Sequence, residues 1–160
     1  MWDKIKNMLK NKNSYKKGCL LFKTEKMYKI ITVYNVDIGR FTMDNPVYIL
    51  PIDIDTPDLK DNIFKSISQS KKISYSDYYN SNLTNALLKE LQETSFISLY
   101  KKSNSCYVYL ENDVIEIIPN KFEKRYLSEV SEDIIILNYS PEKELELTEK
   151  IIEVLNKSYK

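Results

Sequence analysis

The chain has 160 residues, 42% of them hydrophobic and 29% charged, with two glycines, five prolines and a net charge of +1. This composition fits one ordered globular domain and excludes disordered and collagen-like chains. It contains no histidine, and its two cysteines, Cys19 and Cys106, stand far apart in sequence, which excludes the usual zinc spacings and any imidazole catalysis. Both cysteines are expected as small buried hydrophobes, and neither a metal nor a cofactor is expected. No apolar run reaches membrane-span length and no leader-like hydrophobic stretch opens the chain, so a cytoplasmic protein is expected.

Charge is distributed unevenly. Residues 1–29 carry nine lysines against Asp3 and Glu25, a net of +7, which leaves −6 for the rest. An acidic body repels phosphate and attracts basic partners. The first seventeen residues place Trp2, Ile5, Met8 and Leu9 at helical spacing among lysines, so residues 1–17 read as a basic N-terminal helix or arm and 18–160 as a single domain. The apolar face of that arm is too small for stable membrane anchoring.

From Gly18 onward, branched, aromatic and aliphatic residues recur in short runs that predict strands at Cys19 to Lys23, Tyr28 to Tyr34, Arg40 to Met43 and Val47 to Ile54. The connections between them are too short for helical crossovers, so the pairing is antiparallel. Thr56-Pro57 then offers a capping side chain before a proline, and Leu59, Ile63 and Ile67 recur every four residues, which predicts a helix over 57–69. A polar, tyrosine-rich stretch (Ile73 to Asn82) reads as a loop, and a helix follows on Leu83, Leu87 and Leu91. Further strands are predicted at Phe96 to Lys101, Cys106 to Leu110, Val114 to Ile118 and Asp133 to Tyr139, with Ile134, Ile135 and Ile136 largely buried. Ser140-Pro141 repeats the capping pattern before a last helix with Leu145, Thr148, Ile152 and Leu155 on one stripe and Leu147, Ile151 and Val154 beside it. Strands, cap, proline and helix therefore occur twice, and the predicted class is α+β, with antiparallel β-sheets flanked by helices in two pseudo-repeated halves.

Few residues suggest chemistry. Asp53 and Asp55 alternate with Ile52 and Ile54 at strand spacing, which puts both carboxylates on one face. The solvent side of a strand end is the more ordinary origin of such a pair. Tyrosine is the unusual residue, with 13 copies, and Tyr75, Asp77, Tyr78 and Tyr79 mix rings, a carboxylate and small polar groups without a regular period. A surface loop and a recognition surface both fit that segment, because tyrosine gives large contact area at low entropic cost. Tyr107, Tyr109 and Glu111 share one face of a strand. Strand aromatics stack on single-stranded bases in some proteins, but no basic residue interleaves here, and a helix-covered core is the commoner arrangement.

Several segments carry a family resemblance. Asp44-Asn45-Pro46-Val47-Tyr48-Ile49-Leu50-Pro51-Ile52-Asp53, the helix behind it, and Ser68-Gln69-Ser70 resemble the first conserved block of the contact-dependent growth inhibition (CDI) immunity proteins. Leu99-Tyr100-Lys101-Lys102, Cys106 and Val114-Ile115-Glu116-Ile117-Ile118-Pro119 follow in that family's order, and the likeness spans residues 27 to 158. The chain departs from the pattern at Lys60-Asp61 and at Asp113, where relatives often carry glycine. The resemblance implies a Whirly-like α+β fold and a non-enzymatic bacterial protein. Such a protein binds the C-terminal toxin domain of a cognate effector, often a ribonuclease and commonly basic. On that expectation the toxin-binding residues are Tyr75, Asp77, Tyr78 and Tyr79, supported by Asp53, Asp55, Glu111 and Asp113. The alternative is a single-stranded nucleic-acid-binding protein on a similar sheet; nucleic acid and membrane are otherwise not expected as partners.

Overall fold

The computed structural model describes residues 15–80 and 83–159; the predicted basic arm over 1–17 lies almost wholly outside them. Within the described residues the chain forms one sheet of eight strands: β1 (Lys17–Lys23), β2 (Met27–Val36), β3 (Arg40–Pro51), β4 (Lys72–Ile73), β5 (Asn104–Glu111), β6 (Val114–Glu123), β7 (Tyr126–Glu129) and β8 (Ile135–Asn138). Five helices accompany it: α1 (Thr56–Gln69), α2 (Tyr75–Asn80), α3 (Leu83–Leu91), α4 (Phe96–Lys102) and α5 (Glu144–Asn156). The α+β class is as predicted.

The strand order is β3-β2-β1-β5-β6, and β7 and β8 share the outer edge of β6 one after the other. All pairs are antiparallel except β4, which lies parallel to the end of β2. The two central strands, β1 and β5, each begin a series of strands that closes with a helix, so the pseudo-repeat appears as two halves meeting at the β1–β5 seam. Register fixes the two ends of the sheet. The β1–β2 turn, the C-terminus of β3 and the N-terminus of β5 share one end; the β2–β3 and β5–β6 hairpins and the C-terminus of β8 share the other.

Strand alternation sends side chains to two faces. On the first, Cys19, Leu21, Ile30, Val108, Ile115 and Ile117 pack against Leu59, Ile63 and Ile67 of α1 and Leu147, Ile151 and Leu155 of α5. On the second, Leu20, Phe22, Ile31, Val33 and Ile118 meet Leu87 and Leu91 of α3 and Leu99 of α4. Both cysteines are buried free thiols in the first layer, and burial pushes their pKa values up.

Several sequence expectations are corrected. Phe96 to Lys101 is a helix, because the Ser95 hydroxyl accepts from Ser98 N at 3.1 Å and Phe96, Leu99 and Tyr100 share a face at helical spacing. The tyrosine-rich stretch is β4 followed by α2, where the Ser74 hydroxyl accepts from Asp77 N at 3.0 Å. The two strands predicted over 40–54 are one, ending at Pro51. Asn45 and Pro46 bulge out opposite Ile31 and Thr32, and their carbonyls accept from the hydroxyls of Tyr34 and Thr32. The cap of α1 is Asp55, whose carboxylate accepts from Asp58 N at 2.8 Å, not Thr56. Ser140 opens a 3-10 turn (Pro141–Lys143) before α5 rather than capping it with its side chain. The strand predicted from Asp133 is shortened by a 3-10 turn over Ser131–Asp133, and Ile136 is 64% exposed because it points from an edge strand beyond α3 and α4. Asn112 and Asp113 take φ of 49° and 62°, left-handed positions that Asn and Asp tolerate better than other non-glycine residues, so the hairpin closes without a glycine.

Candidate functional site

The tyrosine-rich helix is braced onto the β2–β3 hairpin. Asn35 N donates to the Lys71 carbonyl (3.0 Å) and Asp37 N to the Ile73 carbonyl (3.1 Å), which fixes β4. The Asp37 carboxylate then accepts from Tyr75 N at 3.0 Å and locks the first turn of α2. From this base Tyr79 is 74% exposed and Tyr75 45%, while Tyr78 is half-buried. The Tyr75 ring centroid lies 6.3 Å from that of Tyr78 and 6.0 Å from that of Tyr79. These distances suit tilted ring pairs, so the three rings form one cluster on a rigid support, with the Asp77 carboxylate exposed beside them.

The eight residues predicted as one surface do not all lie together. Glu111 and Asp113 flank the β5–β6 hairpin at the same end of the sheet as the β2–β3 hairpin that carries α2. Asp53 and Asp55 follow β3 at the opposite end, and the strand has already stopped at Pro51, so their alternation is not strand alternation. Asp55 is occupied as the cap of α1, and Asp53 is exposed in the connecting turn. Lysines also gather near α2. Lys71 lies 5.4 Å from the Tyr34 ring centroid, Lys72 and Lys17 lie 5.1 and 5.8 Å from that of Tyr15, and Lys16 pairs with Glu116 at 2.9 Å. Lysines as well as carboxylates therefore stand at this end of the sheet, and Glu116 is already paired.

Tyr107 and Tyr109 share a face as expected, with rings stacked at 5.6 Å and 7°. Phe41 covers Tyr109 at 5.1 Å, and Tyr109 is only 6% exposed. Burial, aided by neighbouring Tyr100 and Glu129, pushes the Tyr107 phenol up to about 12. These rings belong to the packed layer and not to an open platform.

Sequence reasoning missed a buried ion pair on the same face. Lys29 donates to Glu93 at 2.5 Å and to the Leu91 carbonyl at 2.7 Å, and Lys102 donates to the second Glu93 oxygen at 2.7 Å. Burial alone raises the Glu93 carboxyl pKa, but the hydrogen bonds from Lys102 and Lys29 outweigh it and hold the group below its ordinary value. The only sequence signal was a lysine at an inward position of β2.

Among the described residues no group of three or more His, Cys, Asp or Glu is placed to hold a metal ion, and no helix is long and apolar enough to cross a membrane. The arrangement is that of an α+β module presenting an aromatic cluster on a braced helix. The CDI immunity protein (CdiI) model matches residues 17–158, and the chain belongs to this family of immunity proteins. Its fold is similar to that of a protein of unknown function from Neisseria meningitidis, with a TM-score of 0.73 and 20% identity over 91% of this chain and 96% of that one. It is also similar to a chain of the CdiA-CT/CdiI toxin and immunity complex from Yersinia pseudotuberculosis, with a TM-score of 0.69 and 15% identity over 91% and 98% of the two chains. Among curated proteins none matches the sequence.

Proposed function

We propose that the protein acts in the cytoplasm, without turnover of its own, by binding and neutralising the C-terminal toxin domain of a cognate CDI effector, and that this toxin is a basic ribonuclease. The observation that carries the reading is the Tyr75–Tyr78–Tyr79 ring cluster, exposed on a braced helix in a member of an immunity-protein family. Rigid tyrosines give binding energy at low entropic cost, and a helix fixed by Asp37 and Ser74 has little further freedom to lose on binding. Asp77, with Glu111 and Asp113 at the same end, supplies steering charge for a basic partner. Asp53 and Asp55, at the far end, fall outside this compact patch. The nucleic-acid alternative asks for rings open to solvent on the sheet, and the burial of Tyr109 counts against it.

The test is surface-binding kinetics with the toxin domain encoded immediately upstream. Tyr79→Ala and Tyr75→Ala are expected to speed dissociation by about 30-fold or more, the equivalent of about 2 kcal/mol for an aromatic anchor. Asp77→Asn is expected to slow association at low salt and to have little effect at high salt. Wild-type rates from folded variants sink the surface assignment. A toxin domain that leaves RNA intact sinks the ribonuclease reading.

A further inference from the structure

The face of the sheet turned towards α3 and α4 is covered only in part. Leu87, Leu91 and Leu99 close over Leu20, Phe22, Ile31, Val33 and Ile118. Val114 and Ile136 join neither packed layer and are 37% and 64% exposed. Register puts these two together on the same face as Ile118, since Val114 lies opposite Asn138 and Glu116 opposite Ile136 on neighbouring strands. It also sets Glu116 opposite Tyr109, Glu111 opposite Val114 and Glu129 opposite Asn120. The charged side chains that β5, β6 and β7 send to this face are therefore Glu111, Glu116 and Glu129, all acidic. Their field reaches the stacked rings, because burial first, and then the Tyr107 phenol and the carboxylates of Glu129 and Glu116, push the Tyr109 pKa up. Lys16 answers one carboxylate, at 2.9 Å from Glu116, and three carboxylates against one ammonium leave the face at −2. Phe41, 47% exposed beside the Tyr109 ring, extends the apolar surface towards the β2–β3 hairpin that carries α2.

We propose that this open stretch of sheet, Val114 and Ile136 bordered by Glu111, Glu116 and Glu129, docks a segment of the toxin domain that carries lysine or arginine among apolar side chains. Exposed apolar groups rimmed by polar ones are the ordinary composition of a contact surface. Charge selects the occupant. A lysine or arginine can lay its methylene stem on Val114 and Ile136 while its head reaches the exposed Glu129 carboxylate. Phosphate is repelled by the same carboxylates, and a two-fold contact between two copies of this chain would set those carboxylates against each other. The proposal rests on the reading of a basic toxin domain as partner and adds a sheet face to the α2 cluster, at the same end of the sheet.

Two measurements test it. In the first, the isotope-labelled full chain is titrated with acetyl-Lys-Leu-Lys-Leu-Lys-amide, with acetyl-Glu-Leu-Glu-Leu-Glu-amide and with a short single-stranded oligonucleotide, and is also diluted alone. The lysine peptide is expected to shift the Val114 and Ile136 methyl signals, and the glutamate peptide to bind about tenfold more weakly or worse. No shift from millimolar lysine peptide overturns the proposal, as do equal shifts from both peptides or shifts of these methyls by the oligonucleotide. Shifts on dilution alone give the face to a second copy, and contacts of the Trp2 ring with the Ile136 methyls give it to the chain's own N-terminal segment; either result overturns the proposal. In the second, toxin-domain kinetics are compared for wild type, Ile136→Ser and Glu129→Lys, with Tyr79→Ala as the α2 control and thermal melts to confirm folding. Ile136→Ser is expected to speed dissociation by about tenfold. Glu129→Lys is expected to slow association by about threefold or more at low salt and by less at high salt. Wild-type rates in either variant overturn the proposal, and faster release by Tyr79→Ala alongside them leaves the toxin-binding reading intact. If the wild-type protein does not bind the toxin domain at all, the reading of the partner fails, and the peptide titration still decides whether the face takes a cationic apolar segment.

Discussion

Towards α1 and α5 the sheet presents Cys19, Leu21, Ile30, Val108, Ile115 and Ile117, all fully buried, and the polar groups on that side are satisfied, as in the 2.8 Å bond between the Thr32 and Ser66 hydroxyls. Towards α3 and α4 it presents stacked tyrosines, the Lys29–Glu93 pair, the unpaired amide oxygen of Asn120 and an open cavity. One side of the sheet is thus sealed by close-packed, mostly aliphatic contacts, and the other adds stacked rings, polar groups and a long-range ion pair to its own apolar layer. The contrast separates two tasks. The aliphatic side supplies most of the hydrophobic stabilisation, while the aromatic side carries polar groups that cost stability unless each is matched.

The largest effect is expected where the second side has buried charge. Glu93→Ala leaves Lys29 with a buried ammonium and only the Leu91 carbonyl as partner, so unfolding in urea is expected to show a loss of about 4 kcal/mol. The double variant Lys29→Met/Glu93→Leu removes both charges and is expected to recover most of that loss, because the cost comes from the orphaned charge and not from the missing attraction. A double variant as unstable as the single one breaks this account. The pH dependence has a definite sign. The folded-state pKa of Glu93 is lowered from an ordinary value near 4.5, so its contribution is fully present above that value and is lost as pH falls through the lowered one. The stability gap between wild type and Glu93→Gln is therefore expected to narrow in acid.

On the sealed side, Ile151→Ala opens a cavity between α5 and the sheet where nothing reaches solvent, and a loss of about 3 kcal/mol is expected. Leu127→Ala, on the half-exposed wall opposite, is expected to cost less than half as much. Equal losses at the two positions remove the distinction between the faces.

A smaller effect tests how closely the aromatic layer lies on the backbone. Gly18 pairs across from Tyr109, and a Cβ there would sit 2.8 Å from the Tyr109 Cε1 and 2.9 Å from the Val108 carbonyl oxygen. The ring is stacked on Tyr107, lies against Phe41 and is only 6% exposed, so Gly18→Ala is expected to destabilise by about 2 kcal/mol. At Gly39 the φ of 79° makes Ala strained but no atom lies within 4 Å, so its loss is expected to be smaller, about 1 kcal/mol. Thermal melts of the two variants, read together, separate overpacking from backbone strain.

How far the sequence discloses this architecture depends on the distance over which each feature is decided. β1, β2, β5 and β6 are legible because alternation is local, and α1 and α5 because their apolar stripes run for three turns or more. The seven residues of α4 are too few to establish a period, and their branched and aromatic content imitates a strand until the Ser95 cap is seen. The tyrosines of α2 stand out by composition alone, yet their helix depends on Asp37, 38 residues earlier. The division of the carboxylates between two ends of the sheet is invisible without the register. Lys29–Glu93 and Ser105–Asn120 are long-range pairings, 64 and 15 residues apart, that no local pattern announces.

An effect of similar size concerns Asp55, a predicted site residue that the fold uses as a helix cap. Asp55 has extended backbone angles, φ −70° and ψ 157°, and accepts from Asp58 N, while Thr56 and Pro57 begin the helix behind it. Removing such a cap leaves a first-turn N–H without its partner and takes a negative charge away from the positive end of the helix, which together cost about 1 kcal/mol. Asp55→Ala is therefore expected to lower stability by about that amount, Asp55→Ser to restore most of it, and Thr56→Ala to change little. Chemical denaturation of the three variants checks the assignment, and a larger loss from Thr56→Ala than from Asp55→Ala would return the cap to the threonine. Toxin-binding kinetics on the same variants sharpen the comparison further. With Asp55 engaged at the far end of the sheet from α2, Asp55→Ala is expected to leave association and dissociation rates within twofold of wild type, whereas a tenfold change in either would bring the carboxylate end of β3 back into the toxin surface.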